Sequence, residues 1–242
     1  MEWTVPGGSG LRIKVFADGA DLEGILELAA NPIVCGFTTN PTLMRKAGIE
    51  DYEGFARKVL DHVTDRPISF EVCADDFDEM RRQAHRLSSW GPNVYVKIPV
   101  TNTEGISSNS LIADLTADGL HLNVTGILTL AQVKGVTEPL SESSGAVVSV
   151  FAGRIADTGC DPVPLMATAV ELLQPFPSVE LLWASPREVI NVCQAESVGC
   201  DIITVTHDLL KKLGGLGRSL EEVSLETVRM FYRDAVDAGY LL

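Results

Sequence analysis

Eight short apolar runs, each followed by a polar or helix-like stretch, constrain this chain more than any other feature. They cover residues 13–17, 33–38, 68–72, 94–98, 120–125, 146–151, 179–184 and 202–206, with amphipathic segments at 51–63, 77–89, 130–136, 162–173 and 186–198 among them. Strands alternating with helices form βαβ units around a parallel sheet. Eight consecutive units joined by right-handed crossovers predict closure into a single (β/α)8 TIM barrel. An open dinucleotide-binding sheet lacks its signature here, because no Gly-x-Gly-x-x-Gly follows the first run. The length of 242 residues suits one such barrel. Residues 1–11, with Pro6-Gly7-Gly8-Ser9-Gly10, read as a flexible leader, and 12–242 as one domain. Residues 219–238 add a C-terminal helix, with Ser219 as N-cap and Glu222 three residues on.

Side chains alternate faces along a strand, so the apolar set of each run identifies the face turned to the helices. In Val94-Tyr95-Val96-Lys97-Ile98 that set is Val94, Val96 and Ile98, which turns Tyr95 and Lys97 into the barrel. The same parity turns Lys14, Phe16 and Asp18 inward, then Ser69 and Glu71, then His121, Asn123 and Thr125, then Val147, Ser149 and Phe151. Asp18, Glu71, Lys97, Asn123, Thr125 and Ser149 thus converge near the C-terminal ends of their strands, where barrel enzymes place their sites. Packing alone fills a barrel with branched aliphatics, and each unpaired buried charge costs several kcal/mol. The bland alternative is an ion-pair network around Lys97 that only fixes barrel register. Enclosure disfavours the ammonium form of a lysine and exposes the lone pair that attacks carbonyls, whereas flanking carboxylates push the other way. Asp18 and Glu71 are placed to divide proton-transfer work.

The net charge of -14 disfavours nucleic acid and anionic lipid as partners. A phosphorylated substrate therefore needs a local basic site. No apolar run approaches the roughly 20 residues that span a bilayer, and Met1-Glu2-Trp3-Thr4-Val5-Pro6 is not a secretory signal, so a cytoplasmic protein is expected. Cys35, Cys73, Cys160, Cys193 and Cys200 form no Cys-x-x-Cys pair. They read as reduced and structural, with Cys35, Cys73 and Cys200 in apolar contexts.

Five segments, in this order, carry a resemblance. Gly36-Phe37-Thr38-Thr39-Asn40-Pro41, Val96-Lys97-Ile98-Pro99-Val100-Thr101, Leu122-Asn123-Val124-Thr125, Ser149-Val150-Phe151-Ala152-Gly153-Arg154-Ile155 and Gly199-Cys200-Asp201-Ile202-Ile203-Thr204 resemble the transaldolase family. The resemblance implies a class I aldolase barrel, with no metal and no organic cofactor, acting on small-molecule sugar phosphates. It implies that Lys97 forms a Schiff base with the ketose C2 carbonyl and that Asp18 takes the C4 hydroxyl proton. Glu71 and Thr125 would hold and activate the exchanged water. Asn40, Asn123 and Ser149 would bind substrate hydroxyls, with Thr38 close by. Arg154 and Arg187 would bind the phosphate, Arg187 lying just after the seventh run at the start of the next helix, and Ser185 is a further substrate-binding candidate. Each arginine has a plainer reading as a surface ion pair.

A branch of simple aldolases in the same family tends to carry glutamine and tyrosine where this chain has Glu71 and Phe151, so the chain resembles the transferase branch. Phe151 would shield the enamine from stray protonation. Gly19 after Asp18, Pro186, His207 and the polar loop 101–109 depart from the family pattern and are expected to rim the acceptor side. His62 and His85 read as surface residues, and His121 as a hydrogen-bonded core histidine. The leading expectation is a transaldolase-type transferase that assembles as a homo-oligomer. A simple fructose-6-phosphate aldolase, or a non-catalytic sugar-phosphate binder, stands as the alternative.

Overall fold

The computed structural model describes residues 10–143 and 145–240. The leader expected at 1–11 falls mostly on residues 1–9 and lies outside the described residues. Eight parallel strands close in sequence order: β1 (Lys14–Asp18), β2 (Val34–Thr38), β3 (Ile68–Glu71), β4 (Val94–Pro99), β5 (Leu122–Ile127), β6 (Ala146–Val150), β7 (Val179–Trp183) and β8 (Ile202–Thr206). The helices are α1 (Leu22–Ala29), α2 (Pro41–Lys46), α3 (Tyr52–Leu60), α4 (Phe77–Ser88), α5 (Asn109–Ala117), α6 (Leu130–Thr137), α7 (Ala152–Asp157), α8 (Pro162–Leu173), α9 (Ile190–Val198), α10 (His207–Leu213) and α11 (Leu220–Asp237).

Two apolar layers follow from the strand alternation. Val94, Val96, Ile98, Leu122, Val124 and Val148 are buried between barrel and helices. A separate inner cluster of Phe16, Val147, Leu182, Ala184 and Ile202 fills the barrel axis, with Tyr95 and Phe151 packed on it. Gly36 makes room for this filling, since a β-carbon there would meet the Phe16 ring at 2.6 Å. Below the plug, Lys14 pairs with Glu180, and His121 stacks on Tyr95 while its Nδ1 lies 3.3 Å from the Gly145 carbonyl. His121 thus faces inward below the site as parity indicated, but it is only half-buried and not a core residue.

Register sets the site. Glu71 lies opposite Lys97, Lys97 opposite Asn123, Pro99 opposite Thr125, and Asp18 opposite both Thr38 and Thr206. In β5 the pairing with β6 slips by one residue between Val124 and Ile127. Gly126 takes φ 77° there, which only glycine adopts freely. The bulge returns Ile127 to the outer layer while Thr125 stays inward.

Several boundaries differ from expectation, among them the end of α3, at Leu60 instead of residue 63. β5 runs two residues later than the 120–125 run suggested. The helix expected over 186–198 begins only at Ile190. Ser185 adopts φ 62°, a left-handed turn, and the Asn191 side chain accepts from the Arg187 and Glu188 amides. Those bonds hold the segment as a loop. Arg187 therefore sits three residues ahead of α9, not in its first turn.

α11 starts where predicted, with Ser219 accepting from the Glu222 amide. It buries none of its residues, and Val228, Phe231 and Tyr232 are more than half exposed. Among the described residues, no helix is long and apolar enough to cross a membrane.

Candidate active site

A cavity of about 740 Å³ opens at the C-terminal mouth of the barrel. Of the predicted site residues, Asp18, Thr38, Asn40, Glu71, Lys97, Thr125, Ser149, Phe151, Arg154, Ser185 and Arg187 line it. Asn123 does not. Its amide donates to Ser69 at 3.0 Å and accepts from Ser149 at 2.7 Å, one layer deeper, so it acts on the cavity through Ser149.

Lys97 is buried at mid-cavity. Its Nζ donates to the Thr39 carbonyl at 2.9 Å and lies 3.1 Å from Glu71 Oε2. The ion pair of the bland reading is therefore real, but it stands in the wall of an open cavity. Asp18 accepts from the Thr38 hydroxyl at 2.8 Å, which leaves Thr204 as donor in its 2.5 Å contact with Thr38. Burial pushes the Asp18 carboxyl above the usual aspartate range, opposed by Lys97 and the Thr38 hydrogen bond and reinforced by Glu71. A carboxyl with raised proton affinity is suited to taking and returning a proton.

Thr125 Oγ1 is buried and meets no hydrogen-bond partner among the described residues. An unmet buried hydroxyl costs about 1–3 kcal/mol, and this one lines the cavity. Asn40 has two duties. Its Oδ1 caps α2 by accepting from Leu43, which fixes the side chain at the rim.

The two arginines differ. Arg154 rides on α7, its guanidinium 5.3 Å from the Phe151 ring centroid, with no carboxylate within 4.0 Å among the described residues. Arg187 is in a bidentate ion pair with Asp157 and also donates to Ser185 at 3.0 Å. The plainer reading thus holds for the resting state of Arg187 and not for Arg154. Gly153 joins the two segments, because a β-carbon there would fall 1.5 Å from the Ser185 carbonyl oxygen.

Lys46, Asp157, Thr204 and Thr206 also line the cavity and were not anticipated. Parity along residues 202–206 marks Thr204 and Thr206 as inward, a signal that was available. Lys46 and Asp157 lie on six-residue helices too short to show a helical period. A side cavity of about 330 Å³ adjoins Asp18 and Lys46 and takes in Gly19 and His207. Pro186 reaches the main cavity. The polar loop 101–109 lines neither. It folds on itself through a Thr101–Ser107 bridge and is pinned by Asp75, which accepts from the amide and hydroxyl of Thr103.

His62 and His85 are exposed as expected. Cys35 and Cys73 are exposed, against the apolar setting read from sequence; Cys200 is buried. All five cysteines are free, and no group of three metal-ligating side chains occurs among the described residues.

A parallel eight-stranded barrel with a buried lysine paired to one carboxylate and a second carboxylate lining the same cavity, open at the C-terminal mouth, defines a class of barrel suited to polar chemistry on a small ligand. The profile of the family described as Transaldolase/Fructose-6-phosphate aldolase matches residues 15–240, and the chain belongs to that family. A protein of Dehalococcoides mccartyi named "Probable transaldolase" is 32% identical over 203 residues, covering 83% of this chain and 90% of its own. One from Methanococcus maripaludis with the same name is 36% identical, covering 83% and 89%. One from Herpetosiphon aurantiacus is 31% identical, covering 94% and 98%. Among solved structures, a mandelate oxidase variant superposes with TM-score 0.55 at 16% identity, covering 84% of this chain and 67% of its own, a likeness of fold alone.

Proposed function

We propose that this protein is a transaldolase-type transferase that moves a dihydroxyacetone unit from a ketose phosphate to an aldose phosphate. The carrying observation is Lys97 Nζ, buried in the cavity wall 3.1 Å from Glu71, with the proton-hungry Asp18 lining the same cavity. Lys97 attacks the C2 carbonyl, and water leaves as the carbinolamine becomes an imine, with Glu71 and Thr125 handling that water. Asp18 takes the C4 hydroxyl proton as the C3–C4 bond breaks, the aldehyde departs, and the electron pair rests in an enamine on Lys97. The acceptor aldehyde then adds, Asp18 returns the proton, and hydrolysis frees Lys97. Asn40 and Ser149 orient hydroxyls, and Arg154 takes the phosphate, joined by Arg187 once the anion competes with Asp157.

Borohydride added with fructose 6-phosphate should leave a three-carbon adduct on Lys97, read by peptide mass spectrometry. A folded protein without that adduct overturns the proposal. Phe151 offers no proton donor to the enamine, which favours transfer over simple aldol cleavage. Glyceraldehyde 3-phosphate release without an acceptor would favour the aldolase instead, and turnover abolished in Lys97→Ala excludes a mere binder. We further propose a cytoplasmic homo-oligomer. The five free thiols suit a reducing compartment, and α11 carries exposed apolar residues that a second copy would cover.

A further inference from the structure

The end of β3 is held by an unusual bond. Pairing between β2 and β3 places the Phe37 amide on the Pro67 carbonyl and the Thr39 amide on the Ser69 carbonyl. Continued by the two-residue period of a parallel ladder, the Glu71 amide would donate to the Thr39 carbonyl, and the Glu71 carbonyl would accept from the amide of residue 41. Residue 41 is proline, which has no N–H. The Glu71 carbonyl thus lacks its ladder donor and needs another partner, and the Glu71 amide also turns away from Thr39, whose carbonyl accepts from Lys97 instead.

One phenol supplies both. Tyr52 Oη accepts from the Glu71 amide at 2.9 Å and donates to the Glu71 carbonyl at 2.9 Å. Tyr52 opens α3, which Asp51 caps through the Gly54 amide. Its ring packs against Phe70, with centroids 6.3 Å apart, and against Trp90 at 6.0 Å. Burial raises the phenol's proton affinity well above the ordinary tyrosine value, so the hydroxyl keeps the proton it donates. The substitution also releases the Thr39 carbonyl, which accepts instead from Lys97 Nζ at 2.9 Å.

We infer that Tyr52 is a positioning residue: by standing in for the missing β2 ladder, its hydroxyl holds the Glu71 backbone and leaves the Thr39 carbonyl free to orient Lys97. The inference rests on the proposed imine chemistry, since the two side chains so placed are the ones that form the imine and handle its water. Tyr52 lies behind β3 and does not line the main cavity. It acts through Glu71 and touches no substrate.

The test is a time course of borohydride trapping with fructose 6-phosphate on wild type, Tyr52→Phe and Trp90→Phe. Tyr52→Phe keeps the ring and removes the hydroxyl. It should slow adduct formation on Lys97 about tenfold, an effect of the size lost with one well-placed hydrogen-bonding group. Its KM should stay within about twofold, because positioning acts on the reacting groups more than on binding. Trp90→Phe disturbs the same aromatic packing but keeps the hydroxyl, so it should lower Tm and leave the trapping rate unchanged. Trapping by Tyr52→Phe at the wild-type rate overturns the inference, as does equal slowing in Trp90→Phe. No adduct in wild type removes the imine chemistry and the inference together, a result distinct from either. Hydrogen exchange on the wild type adds a readout independent of any variant's folding. The Glu71 amide should exchange as slowly as interior strand amides, and fast exchange overturns the inference.

Discussion

Burial raises the proton affinity of Asp18, while Lys97 and the Thr38 hydroxyl act against the rise. Between the ordinary aspartate range and its raised folded value, the folded chain binds more protons at this site than the unfolded chain. Stability contributed by Asp18 therefore falls as pH rises through that window. Above it, the ionised carboxylate is a standing penalty. Asp18→Asn should raise Tm at neutral pH, and the gain should shrink as pH approaches the ordinary aspartate range, read by thermal denaturation against pH. The same variant should lose about 10²–10⁴ in turnover, the usual worth of a general acid–base group. Thr125 makes a second case in which stability and activity separate. Its hydroxyl is buried without a partner among the described residues, so Thr125→Val should leave Tm unchanged or raised by an effect on the order of 1 kcal/mol. Turnover should fall if that hydroxyl serves the reacting water. A Tm drop in Thr125→Val would show that the hydroxyl is structurally satisfied after all.

At the scale of elements, the rim of the site depends on how closely α7 approaches the loop after β7. Gly153 permits that approach, and any β-carbon would strike the Ser185 backbone. Gly153→Ala should displace the Ser185 turn, lower Tm, and raise KM for a phosphorylated donor. Arg154→Ala should raise that KM more than Arg187→Ala does, since Arg187 must first leave Asp157. Asp157→Ala should lower KM by about two- to fivefold, because an exposed ion pair is worth only about 0–1 kcal/mol. What sequence alone revealed follows the same division. Alternation holds at these positions despite the slips in β1–β2 and β5–β6, so parity places Lys97, Glu71, Asp18, Thr125 and Ser149 in one mouth. It could not place Asn123 a layer below the cavity, because depth along the axis depends on the stagger of neighbouring strands. Nor could it find α2 and α7, which are too short to show a helical period, or the Arg187–Asp157 pair, which joins residues 30 apart. The bond from Tyr52 to Glu71 was invisible for a related reason: it replaces a ladder that fails at Pro41, and a ladder's end is set by three-dimensional pairing.

At the scale of the whole molecule, α11 is an 18-residue helix with no buried side chain. A helix of that composition gains most of its stability from packing, not from propensity. If it docks on a second copy, light scattering should give a mass that is a multiple of the 26.0 kDa chain. Phe231→Glu with Val228→Glu should reduce that mass without unfolding the barrel. An unchanged mass would place the interface elsewhere. The plug of Phe16, Val147, Leu182, Ala184 and Ile202 has a consequence of another kind. It lies between the Lys14–Glu180 pair at the lower end and Lys97 above, and its five side chains carry no polar atom. The barrel thus behaves as a cup sealed at its base, insulated from the solvent beneath it. On the proposed chemistry, protons and water bound for Lys97 come from the mouth side, where the ligand also enters, so a bound sugar phosphate would stand in their path.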